Sequence, residues 1–442
     1  MEGEKEAVLE KAKKENIQLI ELQFTDIFGT IKSVTIPVGK LEESLERGTW
    51  FDGSSIQGFT RICESDMYLK PDASTYAAIP WKPGSARLIC DVFLPDGKPF
   101  EGDPRRILRN ALEAAKAMGF DYMVGPELEF FLFLKKDGRP EPAPHDSGGY
   151  FDFAPKDLAS EVRKDIIFAL QKMGLEIEMS HHEVAPGQHE IDFKYGDALH
   201  TADNAITFKY ATKAIAQMHG LYASFMPKPI FGINGSGMHV HQSLWSQEKN
   251  AFFDGENGKY MLSETARQFI AGQLHHARAL AAIVAPTVNS YKRLVPGYEA
   301  PVYLCWGQIN RSALIRIPSY SKGRDYAVRA ELRCPDPSAN PYLAFAAMLS
   351  AGIDGIKKKM KPPEPVEEDV YEFDEKKLDE MKIATLPSSL KEALLELKKD
   401  EAIFNSLGKH SKQKYLEAKM AEWDRFRIAV TDWELSQYFE ML

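Results

Sequence analysis

The segment GPELEFFLFL, residues 125–134, sets two carboxylates, Glu127 and Glu129, inside an apolar, aromatic run. On a β-strand alternate side chains share a face, so both acids project to one side while Leu128 and Phe130 point to the other. Phe130, Phe131 and Phe133 mark the strand as buried, where unpaired carboxylates are costly. Two acids held side by side repel unless a cation sits between them. For an isolated Glu-x-Glu a wet sheet face is the plainer reading, so the weight falls on what else the chain supplies.

It supplies more groups at similar spacing. HHEVAPGQHE (181–190) carries Glu183 and Glu190 on either side of an Ala-Pro-Gly turn, with His181, His182 and His189 close by. NGSGMHVHQS (234–243) places His239 and His241 two apart on a strand leaving a Gly-rich turn, and RAELR (329–333) puts Arg329, Glu331 and Arg333 on one strand face. A salt-bridged edge strand is the competing reading of the last. Taken together, five carboxylates and a histidine at strand positions suit two hard divalent cations, Mg²⁺ or Mn²⁺ rather than Zn²⁺. Lys292, Arg293, Arg311, Arg316, Arg329 and Arg333 add mainly guanidiniums, whose planar fork fits carboxylate and phosphate. Fixed guanidiniums beside metals are what phosphoryl transfer needs. No Walker A pattern and no kinase Gly-rich loop is present, so a nucleotide is held by another route.

Composition narrows the rest. At 442 residues and 44% hydrophobic content the chain has room for two or three domains with full cores. Its 55 Lys+Arg against 64 Asp+Glu, net −9, argue against nucleic acid and anionic lipid as partners. No apolar run approaches the roughly 20 residues of a membrane span, and MEGEKEAVLEKAKKEN lacks an apolar export region. Cys63, Cys90, Cys305 and Cys334 form no CxxC pair, which fits a reducing cytoplasm, although their even number leaves a bridge open.

The first hundred residues read as a small α+β unit with strands IQLIELQF (17–24), IKSVTIP (31–37) and ARLICDVF (86–93). LPDGKPFEGD marks a boundary, giving units 1–103 and 104–442, with Asp103 as N-cap and Pro104 opening a helix that Gly119 stops. Beyond it strands and helices alternate. TARQFIAGQLHHARALAAIV (265–284) reads as one helix, residues 357–386 as a charged, solvated flap or linker, and the tail from about 388 as helical.

The ordered motifs FDGSSI (51–56), ESDM (64–67), GPELEFF (125–131), GGYF (148–151), HHEVAPGQHE (181–190), NGSGMHVH (234–241), NSYKRLVPGYEAP (289–301), RSALIRIP (311–318) and ELRCPDPSANPYLAF (331–345) resemble type I glutamine synthetase through nearly the whole chain. The resemblance implies an α+β fold: a β-grasp N-terminal domain, a larger catalytic domain with a curved antiparallel sheet flanked by helices, and a dodecamer of two hexameric rings. It implies ATP-dependent ligation of ammonia to L-glutamate through γ-glutamyl phosphate. Glu129, Glu183 and Glu190 would hold one cation, and Glu127, His239 and Glu331 the cation on the nucleotide phosphates. Asn234, Gly235, Arg293, Arg311 and Arg333 would position glutamate, and Glu178, His241, Ser243, Arg311, Arg316 and Arg329 would meet ATP. Asp52 from an adjacent subunit, with Ser55 and Tyr150, would receive ammonium. Glu299 would be the flap residue that closes over the acyl phosphate.

Some departures bear on regulation. HHEVAPGQHE has one residue fewer between its acids than many bacterial versions, and Tyr195 stands where a Phe could stack on adenine. The insertion of the adenylylated subtype is lacking, and Tyr371 lies in the modification region without its usual neighbours. The chain therefore resembles the α subtype, in which Arg61 would couple glutamine occupancy to the flap. A regulatory protein partner stays open, with no docking motif legible. Two other readings compete: a γ-glutamyl ligase of the same fold acting on an amine or polyamine, to be distinguished at Asp52, Ser55 and Tyr150, and an inactive scaffold homologue, which predicts losses among acids that are all present.

Overall fold

A computed structural model of the chain describes residues 2–54, 56, 58, 66–256, 259–297 and 300–442. Near the N-terminus a sheet runs in the order Ile31–Pro37, Leu19–Thr25, Ser85–Phe93, Asp66–Pro71, Thr49–Asp52, with the short Ala77–Ala78 on Ser85–Phe93. Ile20, Leu22 and Phe24 alternate into its core, where Val8 and Ala12 of helix Glu2–Lys14 join them. The hairpin between Leu19–Thr25 and Ile31–Pro37 turns because the Asp26 carboxylate accepts from the amides of Phe28 and Thr30 at 3.0 and 2.9 Å. Thr49–Asp52 is an edge strand of this sheet, and Asp52 ends it.

Among the described residues the second sheet has eleven strands. Its main path is Tyr303–Gly307, Ala313–Arg316, Ala330–Leu332, Met238–Ser246, Asp121–Lys136, Gln188–Phe193, Ile177–His182. Along this path pairing is antiparallel except between Tyr303–Gly307 and Ala313–Arg316, which run parallel, so the curved antiparallel sheet is mixed at one edge. Leu128, Phe130, Ile191, Val240 and Leu332 are fully buried on the face covered by helices, with the Phe130 ring 6.1 Å from Phe208 of helix Ala198–Met218. Strand alternation then sends the acids, histidines and arginines to the other face.

Arg105 joins the two sheets. Its guanidinium, almost wholly buried, reaches Asp72 and Asp91 beside the first sheet at 2.8 and 2.7 Å and Asp203 of helix Ala198–Met218 at 2.8 Å. Three carboxylates around one guanidinium keep its charge paired out of water. Helix Pro104–Lys116 presents it, capped as expected by Asp103, whose carboxylate accepts from the Arg105 amide.

Helices Glu264–His275 and Pro341–Lys357 approach at glycines. A Cβ on Gly355 would lie 2.2 Å from the Gln268 carbonyl oxygen, and one on Gly272 2.2 Å from that of Ala351. Gly355→Ala is therefore expected to force the helices apart at a cost of about 1–3 kcal/mol, read as a lowered melting temperature; an unchanged transition would refute the close contact.

Two expectations change here. The helix expected over 265–284 breaks into Glu264–His275 and Ala277–Val284 at His276, whose ring bonds Asp354 at 2.9 Å and Asp400 at 2.6 Å. The segment read as a solvated flap is stitched down: Trp306 Nε1 donates to the Pro363 carbonyl at 2.7 Å, and the Glu367 carboxylate accepts from the Gln308 and Ile309 amides at 3.0 and 2.8 Å. Val366 and Val370 are buried in the same stretch.

Candidate active site

Register builds the site across six strands. Glu129 lies opposite Glu190, and Glu190 in turn opposite His181. One step along, Glu127 lies opposite His239, and one further step sets His241 opposite Glu331 and Glu331 opposite Arg316. Residues separated by more than two hundred positions thus form a grid on one sheet face. Glu183 leaves the end of Ile177–His182 beside it, its carboxylate bonded to His181 Nε2 at 2.9 Å and to the Val184 amide at 2.9 Å.

Two clusters stand out. Ligating atoms of Glu127, His241 and Glu331 lie within 4.8 Å of one another, as do those of His181, Glu183 and Glu190. His241 Nε2 meets Glu127 at 2.7 Å while Arg329 Nε donates to His241 Nδ1 at 3.0 Å. With Nδ1 accepting, the neutral ring carries its proton on Nε2, so His241 is a donor to Glu127. His239 Nδ1 stands farther off, 3.4 Å from Glu127 and 3.9 Å from Glu331. Glu129 turns to Gln188 Nε2 at 2.8 Å and the Gly237 amide at 3.1 Å.

The electrostatics are those of a cage short of positive charge. Burial, then the charge of Glu183, pushes the Glu129 carboxyl up to about 8. Burial, then Asp192 and Glu129, drives Glu190 well above the usual carboxylate range. Burial also holds His239 below the usual imidazole range, in the neutral form that a metal ligand requires. Against the pull of burial, His241 and His239 keep Glu127 well below the carboxylate range, and His241 and Arg333 lower Glu331. Glu331 is only 3% exposed, paired with Arg316 at 2.9 Å and Arg333 Nε at 3.2 Å. Buried carboxylates that cannot all ionise unaided fit divalent cations.

The arginines frame the cage. Buried Arg293 donates to the carbonyls of Cys334, Pro335 and Arg333 at 2.9, 3.2 and 3.1 Å, leaving donors over from its five. Its Nη2 would lie 2.5 Å from a Cβ on Gly237, so only glycine lets the turn after Asn234 and Gly235 pass between Arg293 and Glu129. Arg333 also bonds the Arg311 carbonyl, whereas the Arg311 side chain is exposed.

A cavity of about 250 Å³ opens beside Glu127, lined among others by Glu178, Asp192, Tyr195, His241, Ser243 and Arg329. Four of the six residues expected around ATP, together with Tyr195, therefore share one wall; Arg316 and Arg311 do not line it. Asp192 was missed from the sequence, although HEIDF repeats the acid-apolar-acid alternation that singled out Glu127 and Glu129.

Other expected residues lie apart. Asp52 is exposed on the first sheet, its carboxylate accepting from the Ser54 amide at 2.8 Å, and this bond holds it below the usual carboxylate range. Tyr150 is exposed beside the grid, its ring 4.1 Å from that of Phe151 and edge-on to His181 at 5.5 Å. Ser55, Arg61 and Glu299 fall outside the described residues. The Tyr371 hydroxyl donates to the Ala300 carbonyl at 2.6 Å.

Residues 101–438 match the glutamine synthetase catalytic domain, and residues 16–95 match the glutamine synthetase beta-Grasp domain. The chain belongs to the glutamine synthetase family. A glutamine synthetase of Methanosarcina mazei is 54% identical over 442 residues, 99% of this chain and 98% of that one. Among solved structures, the GmaS/ADP complex superposes with a TM-score of 0.90 at 33% identity, covering 98% of this chain and 99% of that one. The cryo-EM structure of the Plasmodium falciparum glutamine synthetase gives 0.87 at 28% identity, with 98% of each chain covered. Family membership accounts for both sheets, the β-grasp unit and the larger one that bears the grid.

Proposed function

We infer that the chain is a glutamate–ammonia ligase, joining ammonia to the γ-carboxylate of L-glutamate at the expense of ATP and releasing ADP and phosphate. The observation that carries this reading is the grid itself: Glu127, Glu129, Glu190, His239 and Glu331 on one face of a buried sheet, Glu183 at its margin, and guanidiniums alongside. The likeness to curated glutamine synthetases over nearly the full chain supports it.

Glu129, Glu183 and Glu190 would hold one divalent cation, and Glu127, His239 and Glu331 the other. The gaps of 3.4 and 3.9 Å from His239 to its two carboxylate partners exceed a good hydrogen bond, as suits groups arranged around an ion. Such cations, Mg²⁺ or Mn²⁺, supply positive charge for a polyphosphate. A carboxylate is a poor acceptor because its leaving group would be oxide, so the γ-phosphoryl group moves to glutamate first and phosphate then departs. Arg293 and Arg333, already fixed by backbone carbonyls, would orient the substrate without further ordering. His241, Ser243, Glu178 and Arg329 would line the nucleotide's cavity, and Arg316 and Arg311 would meet ATP from outside it.

Ammonium has no lone pair and must lose a proton before attack. Asp52, kept anionic by the Ser54 amide, would attract the cation and take that proton, with Ser55 and Tyr150 beside it. Because Asp52 belongs to the other sheet's edge, it would serve the grid of a neighbouring subunit. Exposed Ile428, Val430, Trp433, Phe439 and Met441 near the C-terminus support association with other copies of the chain, for which we propose a dodecamer; light scattering of the purified protein would give the subunit number, and a monomer would sink this arrangement. Glu299 would close the site against water. Free thiols at Cys90, Cys305 and Cys334 suit a cytoplasmic setting, and among the described residues no helix is long and apolar enough to cross a membrane.

The deciding assay follows phosphate release and glutamine formation with ATP, Mg²⁺, glutamate and ammonium. Release is expected only with all four, and Asp52→Ala is expected to lower glutamine formation by roughly 10²–10⁴-fold, the usual share of a positioned proton acceptor. A product made preferentially from a competing amine would instead place the chain among amine ligases.

A further inference from the structure

Asp192 belongs to the grid but has no role in the scheme above. It follows Glu190 by two positions on strand Gln188–Phe193, so it shares the face of Glu190, and Met179 lies opposite it on one side. Continuing the Glu190–Glu129 register by two residues sets it alongside Glu127 on the other. Glu127 thus stands between His239 and Asp192. The residue is 6% exposed, lines the cavity beside Glu127 and His241, and neither carboxylate oxygen has a hydrogen-bond donor among the described residues. Glu190, two positions back on the same strand, is a second buried carboxyl and meets Asp192 only through a proton shared between the two.

A buried carboxylate without a donor is costly, and the cost is not confined to Asp192, because Glu190 beside it is a second buried carboxyl raised by the same crowding. An inner-sphere contact is not required to relieve it. Mg²⁺ dehydrates reluctantly and keeps several waters, and those waters present outward-pointing hydrogens to surrounding acceptors. Acceptors of this kind commonly change metal affinity by 10- to 100-fold when removed.

We propose that Asp192 is a cation-positioning residue, whose carboxylate accepts hydrogen bonds from the water shells of the two divalent cations, the one held at Glu127 and the one held at Glu190, and thereby sets the affinity of the grid for them. The proposal rests on the reading of the grid as a cation site. It differs from a structural role, which would alter folding without a preference for metal, and from a sugar-binding role, in which the carboxylate would accept from a ribose hydroxyl of the nucleotide.

Binding of Mn²⁺ to the intact, nucleotide-free protein, followed by loss of the free-ion electron paramagnetic resonance signal, separates these possibilities. Asp192→Asn is expected to weaken Mn²⁺ binding by roughly tenfold to a hundredfold. Asp192→Ala should weaken it further and Asp192→Glu partly restore it, all with unchanged circular dichroism and subunit number. In assays the half-saturating Mg²⁺ concentration should rise in step and carry the larger part of the loss, turnover the smaller. Glu190→Gln serves as the control. If it weakens Mn²⁺ binding while Asp192→Asn and Asp192→Ala do not, the role assigned to Asp192 is wrong and the cation site stands. If none of them alters binding, the cation site itself is wrong. Intact Mn²⁺ binding with lost discrimination between ATP and 2′-deoxy-ATP would overturn the proposal in favour of ribose recognition, and loss of fold in Asp192→Asn, Asp192→Ala and Asp192→Glu alike would overturn it in favour of a structural role.

Discussion

Replacing Glu331 by alanine is expected to lower glutamine formation by at least about 10²–10³-fold, the loss typical of removing one preorganised electrostatic group, and to destabilise the fold. Glu331 is where two guanidiniums and an imidazole meet: Arg316 at 2.9 Å, Arg333 Nε at 3.2 Å and His239 Nδ1 at 3.9 Å. Alanine leaves the Arg333 guanidinium buried without its carboxylate, and breaking a buried pair from one side costs about 3–5 kcal/mol. Arg316 can turn to solvent, which places the expected value toward the lower end of that range. Glu331→Gln separates the two effects, since it keeps the shape and removes only the charge. Steady-state kinetics at saturating Mg²⁺ and thermal unfolding of both variants check this. A loss under tenfold for the alanine variant would mean that Glu331 is a structural ion-pair partner and no part of the chemistry.

What was legible in the sequence follows strand parity. Glu127 and Glu129, His239 and His241, and Arg329, Glu331 and Arg333 each declare a shared face because a strand alternates every two residues. Which face meets which is a matter of register, and pairings such as Glu127 with His239 span more than a hundred positions and leave no local mark. Asp192 obeys the same parity rule, but HHEVAPGQHE, the motif that carries Glu190, ends two residues short of it. The break at His276 could not be anticipated either, since Asp354 and Asp400 reach its ring from distant helices. Glu367 likewise looks like a solvated acid until Gln308 and Ile309 supply amides to it. In each case a tertiary partner overrides a correct local inclination. The proposed ammonium pocket leaves no trace within one chain for another reason: Asp52 lies on a sheet edge and would act on the grid of the next subunit.

Stabilisation by divalent metal is expected to grow as pH rises from about 5 to about 8. Glu129, whose carboxyl is pushed up to about 8, keeps its proton across that window in the folded, metal-free protein, whereas the unfolded chain has lost it above its ordinary value of 4.5. Asp192, pushed up to about 6 by burial and the charge of Glu127, adds to this in the lower part of the window, and Glu190 is likewise driven well above its ordinary range. The folded state then binds more protons than the unfolded one, so stability falls with rising pH, by about 1.4 kcal/mol per unit for each such carboxyl until its folded value is passed. His239 and His189, held low by burial, act in the opposite sense as they lose protons more readily in the folded chain. A bare melting curve mixes the two, but the shift produced by saturating Mn²⁺ isolates the carboxyls, because an ion at the grid displaces their protons and is helped when those protons are scarce. Glu129→Gln and Glu190→Gln should flatten the dependence. A shift that stays constant between pH 5 and 8 would show that the acids are ionised without metal, and the grid would then be a hydrogen-bonded sheet face with no demand for a cation.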